Sequence, residues 1–100
     1  GIYDEMFKKG QLVMAKDVRQ ALIYADRGET DGAFVYKTDA MLATSAKILF
    51  EVPVDLYSRV TYPVAMTKES QRNADAGLFY DYIVSEAAHP EMTRLGFTLP

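Results

Sequence analysis

The alternation of short apolar runs with helical patterns sets the tightest limit on how this chain can fold. Gly32–Tyr36 is a short β-prone run that follows the polar turn Gly28–Asp31, and such a run is typical of a strand buried on both faces. Residues 11–15 form a similar run, and the segment between the two runs has helical spacing. A strand, a helix and a second strand in this order predict a parallel α/β unit.

Two more β-prone runs follow, at Lys47–Phe50 and Tyr57–Met66. The second run contains Pro63, which cannot donate a ladder hydrogen bond and therefore indicates a sheet edge or a chain crossing. A strand of this kind can connect two lobes.

Helix signals occupy the remaining segments. Ile2–Lys9 carries apolar residues on one face, and Gly10 suits the left-handed end of that helix. Asp17 is a good N-cap for a helix that continues to Gly28. The later signals are Thr38 or Asp39 as the cap of a brief helix through Leu42, Ser70 at the start of the last major helix, and Pro90 in a final helical turn that ends near Gly96.

Charge and rare residues exclude several classes of function. The eleven Lys and Arg are scattered among fourteen Asp and Glu without a basic stripe, so we do not expect a nucleic-acid partner. Cysteine is absent, and the only histidine, His89, has no second metal ligand at suitable spacing. The serines lack a nucleophile-elbow context, and there is no glycine-rich phosphate loop. We therefore predict neither a metal site nor an enzyme.

Two features are compatible with anion binding, and each has a simpler interpretation. Tyr36 ends a predicted buried strand, where α/β folds present side chains to ligands, but most tyrosines pack with the ring inside and the oxygen in water. The helix that begins after Asp17 offers amides and a positive dipole end to an anion. Every helix has such an end, so an ordinary capped helix explains it equally well.

Several motifs, in order along the chain, resemble the periplasmic molybdate-binding proteins. Lys16–Leu22 is similar to that family's D-V-R-x-A-L helix start, and Gly28–Gly32 is similar to the turn that follows it. Ala33–Ala40 resembles the pattern I-V-Y-x-T-D-A, Val60–Met66 resembles Y-P-V-A-V, and Leu95–Phe97 resembles a terminal Y-G-F. The resemblance spans nearly the whole chain.

The resemblance implies the α/β fold class, as part of a type II periplasmic-binding-protein fold. This part would be a three-layer α/β lobe plus C-terminal helices that cross to the other lobe. Residues 1–61 would form the core of the second lobe. Residues 62–100 would form the crossing strand and C-terminal helices of the first lobe, whose N-terminal part lies outside this sequence.

The resemblance also implies the solute-binding component of an ABC importer, with molybdate or tungstate as ligand, without a cofactor and without catalysis. Carried over position by position, the backbone N–H of Val18 and the hydroxyl of Tyr36 match ligands of the oxyanion, which is not bound as a coordinated cation. The expected partner is the membrane permease. The expected location is periplasmic, or extracellular and membrane-anchored.

Two other functions remain open: a ligand-sensing regulatory domain of the same fold, and a structural fragment without ligand affinity. We also expect self-association through the C-terminal helix, because its apolar stripe needs a partner if the first lobe is incomplete. The stripe consists of Leu78, Phe79, Tyr82 and Ile83.

Overall fold

The computed structural model of this protein describes all of residues 1–100, and helices are its only regular secondary structure. The five α-helices are α1 (Ile2–Lys8), α2 (Val18–Asp26), α3 (Lys37–Ala40), α4 (Ala74–Val84) and α5 (His89–Arg94). Three short 3-10 helices lie at Val54–Leu56, Ser70–Arg72 and Glu86–Ala88.

The predicted α/β fold class is wrong for this structure, because no residue lies in a strand and no sheet forms. None of the runs predicted as strands, namely 11–15, 32–36, 47–50 and 57–66, has strand structure. A β-prone run becomes a strand only when a neighbouring strand pairs with its N–H and C=O groups. The three-layer α/β lobe that the resemblance implies is accordingly absent, and residues 57–66 do not form the predicted strand.

The helices of the first third follow local signals and confirm their prediction. The Asp17 carboxylate caps α2 by accepting the Gln20 N–H at 2.8 Å. Gly28 has a φ of 71° beyond the end of α2, a left-handed conformation that side chains disfavour. The following N–H, that of Glu29, donates to the Tyr24 carbonyl at 2.8 Å, which completes a Schellman motif. Gly10 ends α1 in the same way.

Two helix starts differ from their prediction. α3 begins after Tyr36, so neither Thr38 nor Asp39 is its cap. α4 begins at Ala74, where Asn73 accepts the N–H groups of Asp75 and Ala76 at 2.9 and 3.3 Å. The predicted cap, Ser70, instead opens a 3-10 turn in which its N–H donates to the Thr67 hydroxyl. Asn and Ser are equally good caps, so the sequence pattern alone does not determine which of them begins the helix.

The chain divides into two units, Gly1–Leu49 and Phe50–Pro100. In the first unit, α2 packs against α3. In the second unit, α4 contacts the 3-10 helices on either side of it, and the Tyr62 ring meets the Phe97 ring edge-on at 5.7 Å between centroids. The predicted boundary after Thr61 concerns the lobes of a receptor and stays a prediction.

Side-chain burial is slight in both units. Ala88 is the one apolar residue that is fully buried, and large apolar side chains in both units are exposed. None of the helices combines the length and the apolar character that a membrane crossing requires.

Candidate functional site

The start of α2 is organised by two side chains that face each other across its first turn. Asp17 accepts the Gln20 N–H, and the Gln20 side-chain oxygen accepts the Lys16 N–H at 2.8 Å. This arrangement resembles a capping box, displaced by one residue. Helix geometry gives the N–H groups of Val18 and Arg19 no acceptor within α2. The amide of Val18 therefore lies at the positive end of the helix dipole, where an anion is stabilised.

Tyr36 lies at the N-cap of α3 instead of at the end of a strand. Its backbone is extended, with φ −70° and ψ 146°, and its carbonyl accepts the Ala40 N–H at 2.9 Å. The residue is 44% exposed. The prediction that Tyr36 ends a buried strand is wrong, because no strand forms there.

An ion pair connects the first turns of α2 and α3. The Arg19 Nε lies 3.3 Å from the Asp39 Oδ1, and the Asp39 side chain is only 15% exposed. Because α2 also packs against α3, the structure brings the elements that carry Val18 and Tyr36 into contact. The pair neutralises the one guanidinium at this end of α2.

Asp26, in the last turn of α2, binds the segment that follows α3. Its carboxylate accepts the N–H groups of Ser45 and Ala46 at 2.7 Å each and the Thr44 hydroxyl at 2.8 Å. The Thr44 N–H donates to both carboxylate oxygens at 3.1 and 3.2 Å. These bonds, the one from Ala46 first, hold the pKa of Asp26 well below its ordinary value.

Sequence reasoning missed Asp26, although one local signal was present. An acidic residue at the C-terminal end of a helix opposes the helix dipole, so Asp26 is unfavourable for α2 alone. Its partners lie 18 to 20 residues away, and nothing in the sequence identifies them.

The groups around the start of α2 can bind an anion. Neutral N–H and O–H donors stabilise an oxyanion through charge-assisted hydrogen bonds. No three His, Cys, Asp or Glu residues lie close enough together to hold a metal ion. His89 is the first residue of α5 and lies in the other unit.

The second unit has an open cleft of about 200 Å³ beside α4. Phe79 and Ile83 of α4 line it, opposite Val64 and Met66. The lining is mostly apolar, with Ser70 and Tyr80 as its polar residues, so this cleft suits an apolar group better than an oxyanion.

Comparison with known families gives one match that covers almost the whole chain. The family model described as "Bacterial extracellular solute-binding protein" matches residues 1–98. No solved structure gives a significant match.

Curated relatives include two proteins named for molybdate. The chain is 36% identical over 99 residues to the molybdate-binding protein ModA of Escherichia coli (strain K12), which covers 99% of the chain and 37% of that protein. It is 37% identical over 90 residues to ModA of Haemophilus influenzae (strain ATCC 51907 / DSM 11121 / KW20 / Rd), covering 90% of the chain and 35% of that protein.

A third relative carries a broader name. YvgL of Bacillus subtilis (strain 168), named as a candidate ABC transporter substrate-binding lipoprotein, is 37% identical over 90 residues, covering 90% of the chain and 35% of that protein. The chain thus spans about a third of the length of the curated relatives it matches.

Proposed function

Because this chain belongs to the family of bacterial extracellular solute-binding proteins, we propose that it forms part of the molybdate or tungstate site of an ABC importer's receptor. The Val18 N–H and the Tyr36 hydroxyl are the proposed ligands on this chain. The receptor captures the oxyanion outside the cytoplasm, in the periplasm or on a membrane anchor, and delivers it to the membrane permease. It performs no catalysis and needs no cofactor.

The observation that carries this proposal is the contact between α2 and α3 at their N-terminal turns. α2 has nine residues, and the first N–H groups of a helix point out of its N-terminus, where an anion can accept them. Arg19 lies beside Asp39, and the proposed donors, a backbone N–H and a phenol O–H, are themselves neutral. A dianion held by neutral N–H and O–H groups is stabilised without a counter-charge.

Two relatives are named as molybdate-binding proteins, and this supports molybdate as the ligand. Sulfate has the same charge and tetrahedral shape but shorter bonds to oxygen. Donors fixed at the wider spacing of molybdate or tungstate would leave sulfate with longer and weaker hydrogen bonds, because hydrogen bonds weaken with distance and misalignment.

We further propose that the chain self-associates through α4. Leu78, Phe79 and Tyr82 on this helix are 68%, 65% and 53% exposed, and an exposed apolar stripe of this kind marks an interaction surface. A second copy of the same helix is a matching apolar partner, and exchange of the final helices between copies would cover both stripes.

Isothermal titration calorimetry of the intact protein with sodium molybdate, sodium tungstate and sodium sulfate tests the ligand. We expect molybdate and tungstate to bind with one-to-one stoichiometry and sulfate to bind more weakly. A preference for sulfate, or no heat with any of the three oxyanions, would contradict the proposed function.

A further inference from the structure

The carboxylate of Asp26 occupies an anion-binding concavity made by the chain itself. Three consecutive N–H groups, from Thr44, Ser45 and Ala46, converge on it together with the Thr44 hydroxyl. Successive amides that converge in this way form a nest for a negative charge, and bonds to an ionised acceptor are stronger than neutral ones. Asp26 therefore fixes residues 44–46 against the C-terminal end of α2.

Together with the ion pair at the other end of α2, the contact between Asp26 and residues 44–46 holds α3 alongside α2. Arg19 binds Asp39 beside the first turn of α2, whereas Asp26 binds residues 44–46 beside its last turn. A nine-residue helix is about 13 Å long, so segment 39–46 runs along α2 and is attached at both ends. One attachment would leave α3 free to pivot, whereas two set its position and direction.

The two attachments differ in strength. The Arg19 side chain is 74% exposed, and exposed ion pairs contribute little because water and salt screen them. Asp26 accepts several short bonds, three of them at 2.7–2.8 Å, from donors that belong mainly to the backbone. The attachment by Asp26 is thus the stronger of the two, and without it only the exposed ion pair would hold α3, and Tyr36 at its start, against α2.

We infer that Asp26 is a positioning residue for the oxyanion site, which holds α2 and α3 so that the Val18 N–H and the Tyr36 hydroxyl reach the same ligand. This inference rests on the proposed function. Asp26 itself does not touch the anion, and its charge is fully taken up by residues 44–46.

To test this, sodium molybdate is titrated into Asp26→Asn and into the unaltered protein in a calorimeter, and the two Kd values are compared. Replacing one carboxylate oxygen by an amide group removes acceptors from the nest, and we expect the Kd for molybdate to rise at least about fivefold, the lower end of coupling between separate sites. The number of binding sites should not change, and molybdate should lose more affinity than sulfate does. If the substitution only reduced the amount of folded protein, the number of sites would fall while the Kd and the preference for molybdate over sulfate stayed the same. That result would overturn the inference.

Asp31→Asn is the matched control, since Asp31 is an exposed acid of the same unit and lies outside any helix. It should leave the Kd unchanged, and an equal weakening by Asp31→Asn would overturn the inference by showing a simple charge effect. If Asp26→Asn does not fold, Thr44→Val removes only the hydroxyl bond at 2.8 Å. A Kd for Thr44→Val equal to that of the unaltered protein would then overturn it.

NMR spectra without any ligand separate this inference from the proposed function. Asp26→Asn should shift the amide signals of residues 36–40 as well as those of residues 44–46. Shifts confined to residues 44–46 would overturn the positioning role even if molybdate binds. Absence of molybdate binding by the unaltered protein, with the wider shifts present, would instead count against the proposed function alone.

Discussion

The phenol of Tyr36 is the side chain on which the proposed ligand set depends most. Tyr36→Phe removes only the hydroxyl, and the ring keeps its volume at a half-exposed position at the start of α3. If that hydroxyl donates to the oxyanion, affinity for molybdate should fall by about 1–3 kcal/mol, the range for a hydrogen bond to a charged group. Calorimetry measures this directly, and the far-ultraviolet circular dichroism spectrum should not change.

Tyr24→Phe is the control for loss of a hydroxyl in the same unit, because Tyr24 lies within α2 and away from its start. It should bind molybdate as the unaltered protein does. Equal affinities of the unaltered protein, Tyr36→Phe and Tyr24→Phe would show that the Tyr36 hydroxyl is not a ligand. The proposal for the Val18 amide would be unaffected.

The two proposed ligand positions were accessible from sequence, whereas the groups that orient them were not. Val18 and Tyr36 are proposed because they match ligand positions of the family that the sequence resembles, and the Asp17 cap follows from local chemistry that acts within three residues. Asp26 and Asp39 act through partners 18 to 20 residues away along the chain. No local pattern encodes such a distance, so only the folded chain identifies these contacts.

Helix ends could be predicted from local sequence, whereas strands could not, because strands need partners that are distant along the chain. α1, α2 and α5 end at glycines with positive φ, and each end is a local Schellman motif that the sequence shows directly. The β-prone runs carry equally clear local patterns, but a strand also needs a partner in register. The runs around residues 11–15 and 32–36 find none, and the predicted sheet therefore does not form.

The N-cap of α2 connects helix stability with the proposed site. Asp17→Ala removes the acceptor of the Gln20 N–H, and loss of such a cap costs about 0.5–2 kcal/mol. We expect the free energy of unfolding to fall by this amount, which lowers the midpoint of urea unfolding followed by circular dichroism at 222 nm. Affinity for molybdate should fall too, because the amide of Val18 is held by the same turn.

Asp31→Ala supplies the comparison for this prediction, since it removes an exposed carboxylate that caps no helix. Its unfolding midpoint should stay close to that of the unaltered protein. An Asp17→Ala midpoint that matches the Asp31→Ala midpoint would show that the cap does not stabilise α2.

Taken as a whole molecule, the chain leaves far more surface in water than a folded protein of its size. It exposes 8851 Å², whereas a folded monomer of this mass exposes about 5700 Å². Even two separate folded units of half the mass would together expose about 6900 Å². Even separate units would expose less than this chain does, and the exposed residues include many large apolar side chains, among them those of α4.

That excess is the physical reason to expect association. A stable dimer buries about 800 Å² on each partner, which is less than the surplus, and Leu78 and Phe79 are prominent members of the uncovered stripe on α4. We expect light scattering after size exclusion to give a dimer at micromolar concentrations, and Leu78→Gln with Phe79→Gln to give a monomer of unchanged helix content.

Phe34→Gln with Leu49→Gln is the control, because Phe34 and Leu49 are each 83% exposed and belong to the other unit. It removes comparable apolar surface, so it should leave the dimer intact if α4 is the interface. A mass of one chain throughout the micromolar range would show that a second copy does not cover this helix. Equal loss of the dimer in all variants would indicate non-specific association of apolar surface, and would also count against α4.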